Sequence, residues 1–291
     1  MGSRDIRRRI KSVKNTSLIT KAMQMVAASK MAKAQEQALQ GRPFAARLGG
    51  LLRDLGRHAL EVEHPLWRRA AEGAPAAVLL ISTDKGLCGG LNANLFREVA
   101  ALPVETVFVT IGRRGRQFVA RTRRRLLADF PLPERVVYNE VKKIAEYLSG
   151  AFLKGEIGSL TVLYPSFVNT LVQKPLNEPL LPLADLSLSN IGLLGADADH
   201  ADADTGADFV YEPSAAAVRE KLFPVYVNFN LYHMLLEARA SEHSARMVAM
   251  KSATDNATQL IKDLTLEYNK ARQSAITNEI LEIAAAQGVG N

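Results

Sequence analysis

The sequence predicts a mixed α/β protein in which two long terminal helices form an antiparallel coiled coil and flank a central α/β domain. The first observation is the position of the helix breakers. All twelve prolines fall between positions 43 and 224, and residues 3–40 and 225–287 contain neither proline nor glycine. Each end can therefore be one continuous helix, roughly 57 Å and 95 Å long at about 1.5 Å per residue. Helices of that length must project from a domain of this size or run along a partner.

A stripe of apolar and small residues along each helix is the second observation. Steps of four and three residues from Ile6 select Ile10, Val13, Ser17, Thr20, Gln24, Ala27, Met31, Ala34 and Ala38. The same stepping from Phe229 selects Tyr232, Leu236, Arg239, His243, Arg246, Met250, Ala253, Ala257, Leu260 and Leu264. Such seams favour two helices of one chain packed closely, with other residues left to face a partner. Two ordinary long helices on a globular surface remain the alternative.

The middle of the chain alternates strand-like and helix-like segments, which is the third observation. Apolar runs predict strands at 76–82, 106–111 and 160–164, and helical patterns occupy 93–100, the segment from Gln117 onward, and 139–154. This order predicts a small Rossmann-like domain with a parallel sheet. We therefore expect a helix over 1–60, the domain over 75–195, an acidic surface loop over 196–210 and a second helix over 211–291.

Charge is distributed unevenly along the chain. Residues 1–35 hold nine basic residues and one acid, although the whole chain carries a net charge of only +7. Seven arginines lie within 113–125, and five aspartates lie within 195–208. The basic N-terminal arm predicts an acidic partner.

Several classes of protein are excluded by composition. The single cysteine, Cys88, allows no intrachain disulfide and favours a reducing cytoplasm. No window approaches about 18 consecutive apolar residues, and the N-terminus lacks the apolar core of a signal peptide, so we expect neither a membrane span nor export.

The glycine-rich turn at 84–92 is the strongest candidate for local chemistry. It follows the first strand, where α/β folds bind phosphates. However, its lysine, Lys85, precedes the glycines, and no G-x-G-x-x-G is present. A tight structural turn is the favoured interpretation, with Lys85 as a surface contact. Neither Cys88, nor the pair His233 and His243, nor the aspartates of 195–208 fits a nucleophile or metal site. We expect no catalytic residue, cofactor or metal.

Three separated motifs resemble one known family. They are IKSVKNTSLITKAMQMVAASKM at 10–31, DKGLCGGLN at 84–92, and ASEHSARMVAMKSATDNA at 240–257, which is followed by LTLEYNKARQSAITNEILEI at 264–283. Each is similar to a segment of the gamma subunits of F-type ATP synthases, in the same order. The resemblance implies a central rotor shaft that turns inside a ring of alpha and beta subunits. It also implies an α/β domain beside the epsilon subunit and the membrane c-ring, and no catalytic site of its own.

The family pattern also implies which residues contact partners. It assigns contacts with beta subunits to Met23, Arg246, Arg272, Gln273, Thr277, Glu279 and Glu282. Lys85 and Gly86 fall near the lower rim of the ring, and Tyr211 and Glu212 fall at the foot, facing epsilon or the c-ring. With one cysteine, the chain departs from the redox-regulated chloroplast form. The absence of a transit peptide before Ile6 favours a bacterial protein at the cytoplasmic face of the cell membrane, peripheral to it.

Two other functions remain as alternatives. A basic helical arm is compatible with a nucleic-acid-binding protein, because it could release counterions from phosphates. That arm carries no interleaved aromatic residues, however. A nucleotide-dependent enzyme is disfavoured by the spacing of the glycine-rich turn.

Overall fold

Five helices and five strands form the described part of the chain in a computed structural model, which covers residues 3–57, 64–67, 73–183, 211–212 and 214–288. Their bounds are α1 Ser3–Arg57, β1 Ala76–Ile81, α2 Leu91–Ala101, β2 Val107–Ile111, α3 Arg113–Arg121, β3 Leu126–Phe130, α4 Tyr138–Leu153, β4 Ser159–Phe167, β5 Gln173–Leu181 and α5 Ala215–Gly288. The expected acidic loop lies outside the described residues. The chain divides into a terminal unit, made of the residues up to Ala27 and from Arg246 onward, and a central unit from Ala28 to Ala245.

The sheet of the central unit has the strand order β3-β2-β1-β4-β5. The first four strands in this order are parallel, whereas β5 runs antiparallel to β4. The parallel sheet and three of its strands are thus confirmed, while β3 and β5 were not predicted. β5 contains Pro175 and Pro179, which argue against a strand in the sequence. An edge strand tolerates proline because one of its sides needs no ladder hydrogen bonds.

Apolar side chains cover both faces of this sheet. On one face, Val78 and Leu80 of β1 pack with Leu95 and Val99 of α2 and with Phe108. On the other face lie α4 and the first half of α5, and their buried residues join the alternate residues of the strands in the larger core. Buried residues of the C-terminal helix from Phe223 to Ala238 are therefore part of the core of the α/β unit.

Both long helices continue across the breakers that the sequence places beside them. α1 runs through Gly41 and Pro43, and α5 through Pro224. A proline inside a helix removes one hydrogen bond and costs about 3 kcal/mol. Aromatic side chains pack beside these points: Phe44 lies 4.7 Å from Phe229 between ring centroids, and Phe223 stacks on Trp67 at 5.7 Å.

The predicted seam is present in the terminal unit. Every stepped residue of α1 from Ile6 to Ala27 is buried or half-buried, and on α5 Met250, Ala257 and Leu264 are buried. Leu260 is exposed, and Ile261 is half-buried in its place, so the seam steps from Ala257 by four residues and not by three. The hydroxyls of Thr20 and Thr254 lie 2.7 Å apart and form a hydrogen bond across the seam.

Candidate functional site

The glycine-rich turn after β1 uses its own polar groups to hold its shape. The Thr83 hydroxyl donates to the carbonyl of Lys85 at 2.8 Å, and the Asn92 amide donates to the Thr83 hydroxyl at 2.8 Å. Leu87 adopts a left-handed backbone with φ of 63°, and Cys88 is buried next to Asn92. The turn is therefore a packed structural element, in agreement with the interpretation favoured from its spacing.

The first backbone amides of the neighbouring helix α3 donate hydrogen bonds to residues that follow β1. The amide of Arg113 donates to the Asp84 carboxylate at 2.9 Å, and that of Arg114 to the carbonyl of Thr83 at 3.0 Å. The amide of Gly115 donates to the Ser82 hydroxyl at 2.7 Å. A helix N-terminus binds phosphate through free amides, and the amides here have partners from the turn after β1.

α5 lies beside the crevice where open α/β sheets bind nucleotides. That crevice lies at the carboxyl ends of the strands where the strand order reverses, which is between β1 and β4. Ser244 of α5 donates to the carbonyl of Thr170 at 2.7 Å, just beyond β4. Ala245 packs against Cys88 and Leu91. These contacts place α5 at the carboxyl ends of β1 and β4.

We expect the purified chain to show no ATP turnover and no tight ATP binding, because the glycine-rich turn lacks the spacing of a phosphate-binding loop and the first amides of α3 are bonded to other groups of the chain. Equilibrium binding of a labelled ATP analogue and steady-state hydrolysis measure this directly. A micromolar affinity that is lost when Lys85 is changed to alanine would contradict the expectation. Lys142→Ala, at an exposed lysine of α4 that pairs with Glu146, is the control for nonspecific loss of charge.

Within the described residues, no three side chains of histidine, cysteine, aspartate or glutamate come together as a set of metal ligands. No described helix is both long and apolar enough to cross a bilayer.

The structure distributes the residues implied by the family pattern over both units. Lys85 and Glu212 are exposed, whereas Gly86 and Tyr211 are half-buried, all in the central unit. In the terminal unit, Met23 and Arg246 are half-buried, whereas Arg272, Gln273, Thr277 and Glu279 are exposed. Glu282 lies within α5, and its side chain is outside the described part.

Exposed apolar residues on the terminal unit were missed by the sequence reasoning. On α1 these are Leu18, Ile19, Met25 and Val26, and on α5 they are Leu266, Ile276, Ile280 and Leu281. They lie off the seam. Apolar residues at positions outside the four-and-three stepping could have predicted this exposed surface from the sequence. Exposed apolar surface of this kind marks a surface that contacts a partner.

Comparisons with known proteins identify the family of this chain. The model of the ATP synthase family matches residues 2–288. The ATP synthase gamma chain of Opitutus terrae is 50% identical over 288 residues, which are 98% of this chain and 97% of that protein. This chain belongs to the ATP synthase gamma-chain family. The gamma chain of Akkermansia muciniphila is 47% identical over 285 residues, which are 97% of each chain.

Solved structures agree with this assignment. A chain from the central stalk and c-ring of the mitochondrial ATP synthase of Tetrahymena thermophila aligns with a TM-score of 0.60 and 26% identity, and the match covers 81% of this chain and 99% of that one. A chain of the Euglena gracilis mitochondrial ATP synthase shares the fold, with a TM-score of 0.68, 17% identity and coverage of 99% and 94%. The resemblance seen in the sequence is confirmed: this gamma chain is the central rotor shaft of an F-type ATP synthase and a noncatalytic subunit of the complex.

Proposed function

We propose that this gamma chain transmits torque through the outward surface of its terminal unit, which turns as a coiled coil inside the ring of alpha and beta subunits. The proposal rests on one observation: the two helices pack against each other through only one side of each helix. The opposite sides expose apolar residues of both helices, together with the basic residues of α1. A surface of small, apolar and basic residues suits a shaft that contacts a surrounding sleeve.

The central unit is proposed to face the epsilon subunit and the c-ring. Tyr211 and Glu212 would contact these partners, and Lys85 with Gly86 would lie at the lower rim of the alpha–beta ring. The chain would then be peripheral to the membrane, at the cytoplasmic face of a bacterial cell, and would reach the membrane only through the complex. The relatives from Opitutus terrae and Akkermansia muciniphila support a bacterial origin.

The proposed mechanism is differential binding. An asymmetric shaft can change the conformation of a beta subunit only if it binds the conformations with different free energies. As the c-ring turns the shaft, the contacts of Met23, Arg246, Arg272, Gln273, Thr277, Glu279 and Glu282 would pass from one beta subunit to the next. Each beta subunit would then change its affinity for nucleotide in turn.

Reconstitution with alpha and beta subunits tests the proposal. The gamma chain is expected to enter one complex with both subunits on size-exclusion chromatography and to restore cooperative ATP hydrolysis. Failure to enter this complex, combined with retention of nucleic acid measured by absorbance at 260 nm, would favour the nucleic-acid-binding alternative.

Hydrogen exchange at the end of α5 is expected to depend strongly on assembly. Every residue from 272 to 281 is exposed in this chain, so tertiary packing contributes little to the stability of that segment. We expect its amides to exchange close to unfolded rates in the isolated chain and at least roughly a hundredfold more slowly in the complex. The amides of β1, buried in both states, are the internal reference. Equal protection of 272–281 in both states would show that the helix is stable without a sleeve.

A further inference from the structure

Glu237 is a buried acid that joins α5 to the sheet, and none of the roles described above involves it. One carboxylate oxygen, Oε1, accepts hydrogen bonds from the Ser166 hydroxyl at 2.7 Å and from the amide of Phe167 at 3.0 Å. The other oxygen, Oε2, is buried without a hydrogen-bond partner among the described residues. If this carboxylate were ionised, nothing among the described residues would replace the water lost from its bare oxygen.

A second acid and a tyrosine lie beside it. The Tyr164 hydroxyl donates to Oε2 of Glu178 at 3.1 Å, and the same hydroxyl lies close to the Glu237 carboxyl. Tyr164 is fully buried, and Glu178 projects from β5 on the same face of the sheet, because it pairs across the strands with Val162. A phenol has a single proton to donate, so Tyr164 cannot satisfy both carboxylates.

We propose that Glu237, Tyr164 and Glu178 form a buried proton-binding site, in which Glu237 holds a proton and donates it to the Tyr164 hydroxyl, while Tyr164 donates to Glu178. This arrangement gives Oε2 of Glu237 a hydrogen-bond partner. It also leaves one negative charge in the site, on the less buried Glu178. Loss of the Glu237 proton would place a second negative charge there and weaken the joint between α5 and the β4–β5 hairpin. The site is a property of the central unit and does not depend on the proposed torque surface.

Burial of this site favours the protonated form of Glu237. Burial raises the pKa of Glu237, and the hydrogen bonds from Ser166, Phe167 and Tyr164 oppose that rise without cancelling it. Burial also raises the pKa of Glu178, and the hydrogen bond from Tyr164 lowers it; only an ionised Glu237 would add to the rise. Burial and Glu178 together raise the pKa of Tyr226 on α5 to about 12.

Three neighbouring basic side chains do not neutralise the charges of Glu237 and Glu178. On β5, Lys174 pairs with Ser166 across the strands and is exposed to solvent. On α5, His233 lies one turn before Glu237, and its ring lies toward Gly41 of α1. Arg239 of α5 is engaged with Glu242 at 2.6 Å and with the carbonyl of Glu134 at 3.0 Å.

The pH dependence has a definite sign. Because the pKa of Glu237 is higher in the folded chain than its ordinary 4.5, the stabilisation from the bound proton is complete below pH 4.5 and is lost as the pH rises through the raised pKa. The melting temperature of the full chain is expected to fall over this interval. Glu237→Gln, a neutral isostere of the protonated acid, is expected to remove most of that fall, whereas Glu98→Gln, at an exposed acid of α2, is expected to keep it.

Infrared spectroscopy identifies the group that carries the proton. At neutral pH the wild-type chain should show the C=O stretch of a protonated carboxyl. Glu237→Gln should remove this band, and Tyr164→Phe should shift it because the proton loses its acceptor. A band that survives in Glu237→Gln and disappears in Glu178→Gln would overturn the proposal, as would the absence of any such band in the wild type. If Glu237→Gln does not fold, Glu178→Gln decides between the two acids: the band should persist in this variant, and its loss would overturn the proposal.

Discussion

Replacing Gly112 with alanine is expected to unfold the α/β unit at temperatures where the wild-type chain remains folded. Gly112 follows β2 with φ of 98°, a backbone conformation that L side chains rarely adopt. A Cβ added there would lie 2.4 Å from the carbonyl oxygen of Ser82 and 2.9 Å from its carbonyl carbon. Those atoms belong to the backbone that follows β1, where the amide of Ser82 bonds to Ile111 at 2.8 Å. Neither strand end can move without breaking the parallel pair.

The expected loss is at least about 3 kcal/mol, since backbone strain of about 1–3 kcal/mol adds to a clash that no side-chain rotation relieves. Chemical denaturation of the full chain, followed by circular dichroism, measures it. Gly150→Ala is the matched control, because Gly150 lies inside α4 and a Cβ there would meet nothing within 4 Å. That change should stabilise the chain by about 0.5–1 kcal/mol. Similar denaturation midpoints for the two variants would show that the clash at Ser82 is relieved elsewhere.

The hydrophobic pattern was sufficient to predict strands that are continuous apolar runs and a helical seam that repeats every three or four residues. Apolar runs identified β1, β2 and β4, and the four-and-three stepping identified the seam of α1 down to Ala27. The pattern failed where tertiary packing overrides local preference. The prolines of β5 are tolerated because the strand lies at the edge of the sheet, and α1 and α5 continue through their prolines although proline disfavours the interior of a helix.

The burial of Glu237 could not be predicted from the sequence in the same way. In the sequence it is one glutamate in a long helix, and its hydrogen-bond partner Ser166 lies 71 residues away. Spacing along the chain holds no information about a contact of that kind. The turn at 84–92 is the opposite case, since its residues are local. The order of its lysine and glycines was enough to argue against a phosphate site, although the bond from Arg113 to Asp84 required the structure.

Changing Arg272 to alanine is expected to lower ATP-driven ion pumping by the assembled complex much more than it lowers assembly. Arg272 follows Ala271, the last half-buried residue among the described side chains of α5, and the side chain of Arg272 is exposed. Its loss should therefore leave the packing of the two helices unchanged. If the guanidinium bonds an acceptor on a beta subunit, as the family pattern implies, its removal costs roughly 1.5–3 kcal/mol where that acceptor stays buried. This is roughly a tenfold to hundredfold change in the binding of one rotary state.

Arg272 is a better probe of the sleeve than Arg246, because Arg246 is half-buried and its removal would combine a change in packing with a change in contact. Complex yield, ATP hydrolysis and pumping should be compared for Arg272→Ala and Arg121→Ala. Arg121 is an exposed arginine of α3 that no motif assigns to the sleeve, and it lies over the ring of Phe118 at 5.9 Å. Only a contact that differs between rotary states can lower pumping while yield is retained, since a uniform contact changes assembly alone. Wild-type pumping in Arg272→Ala, or an equal loss in Arg121→Ala, would remove Arg272 from the torque surface.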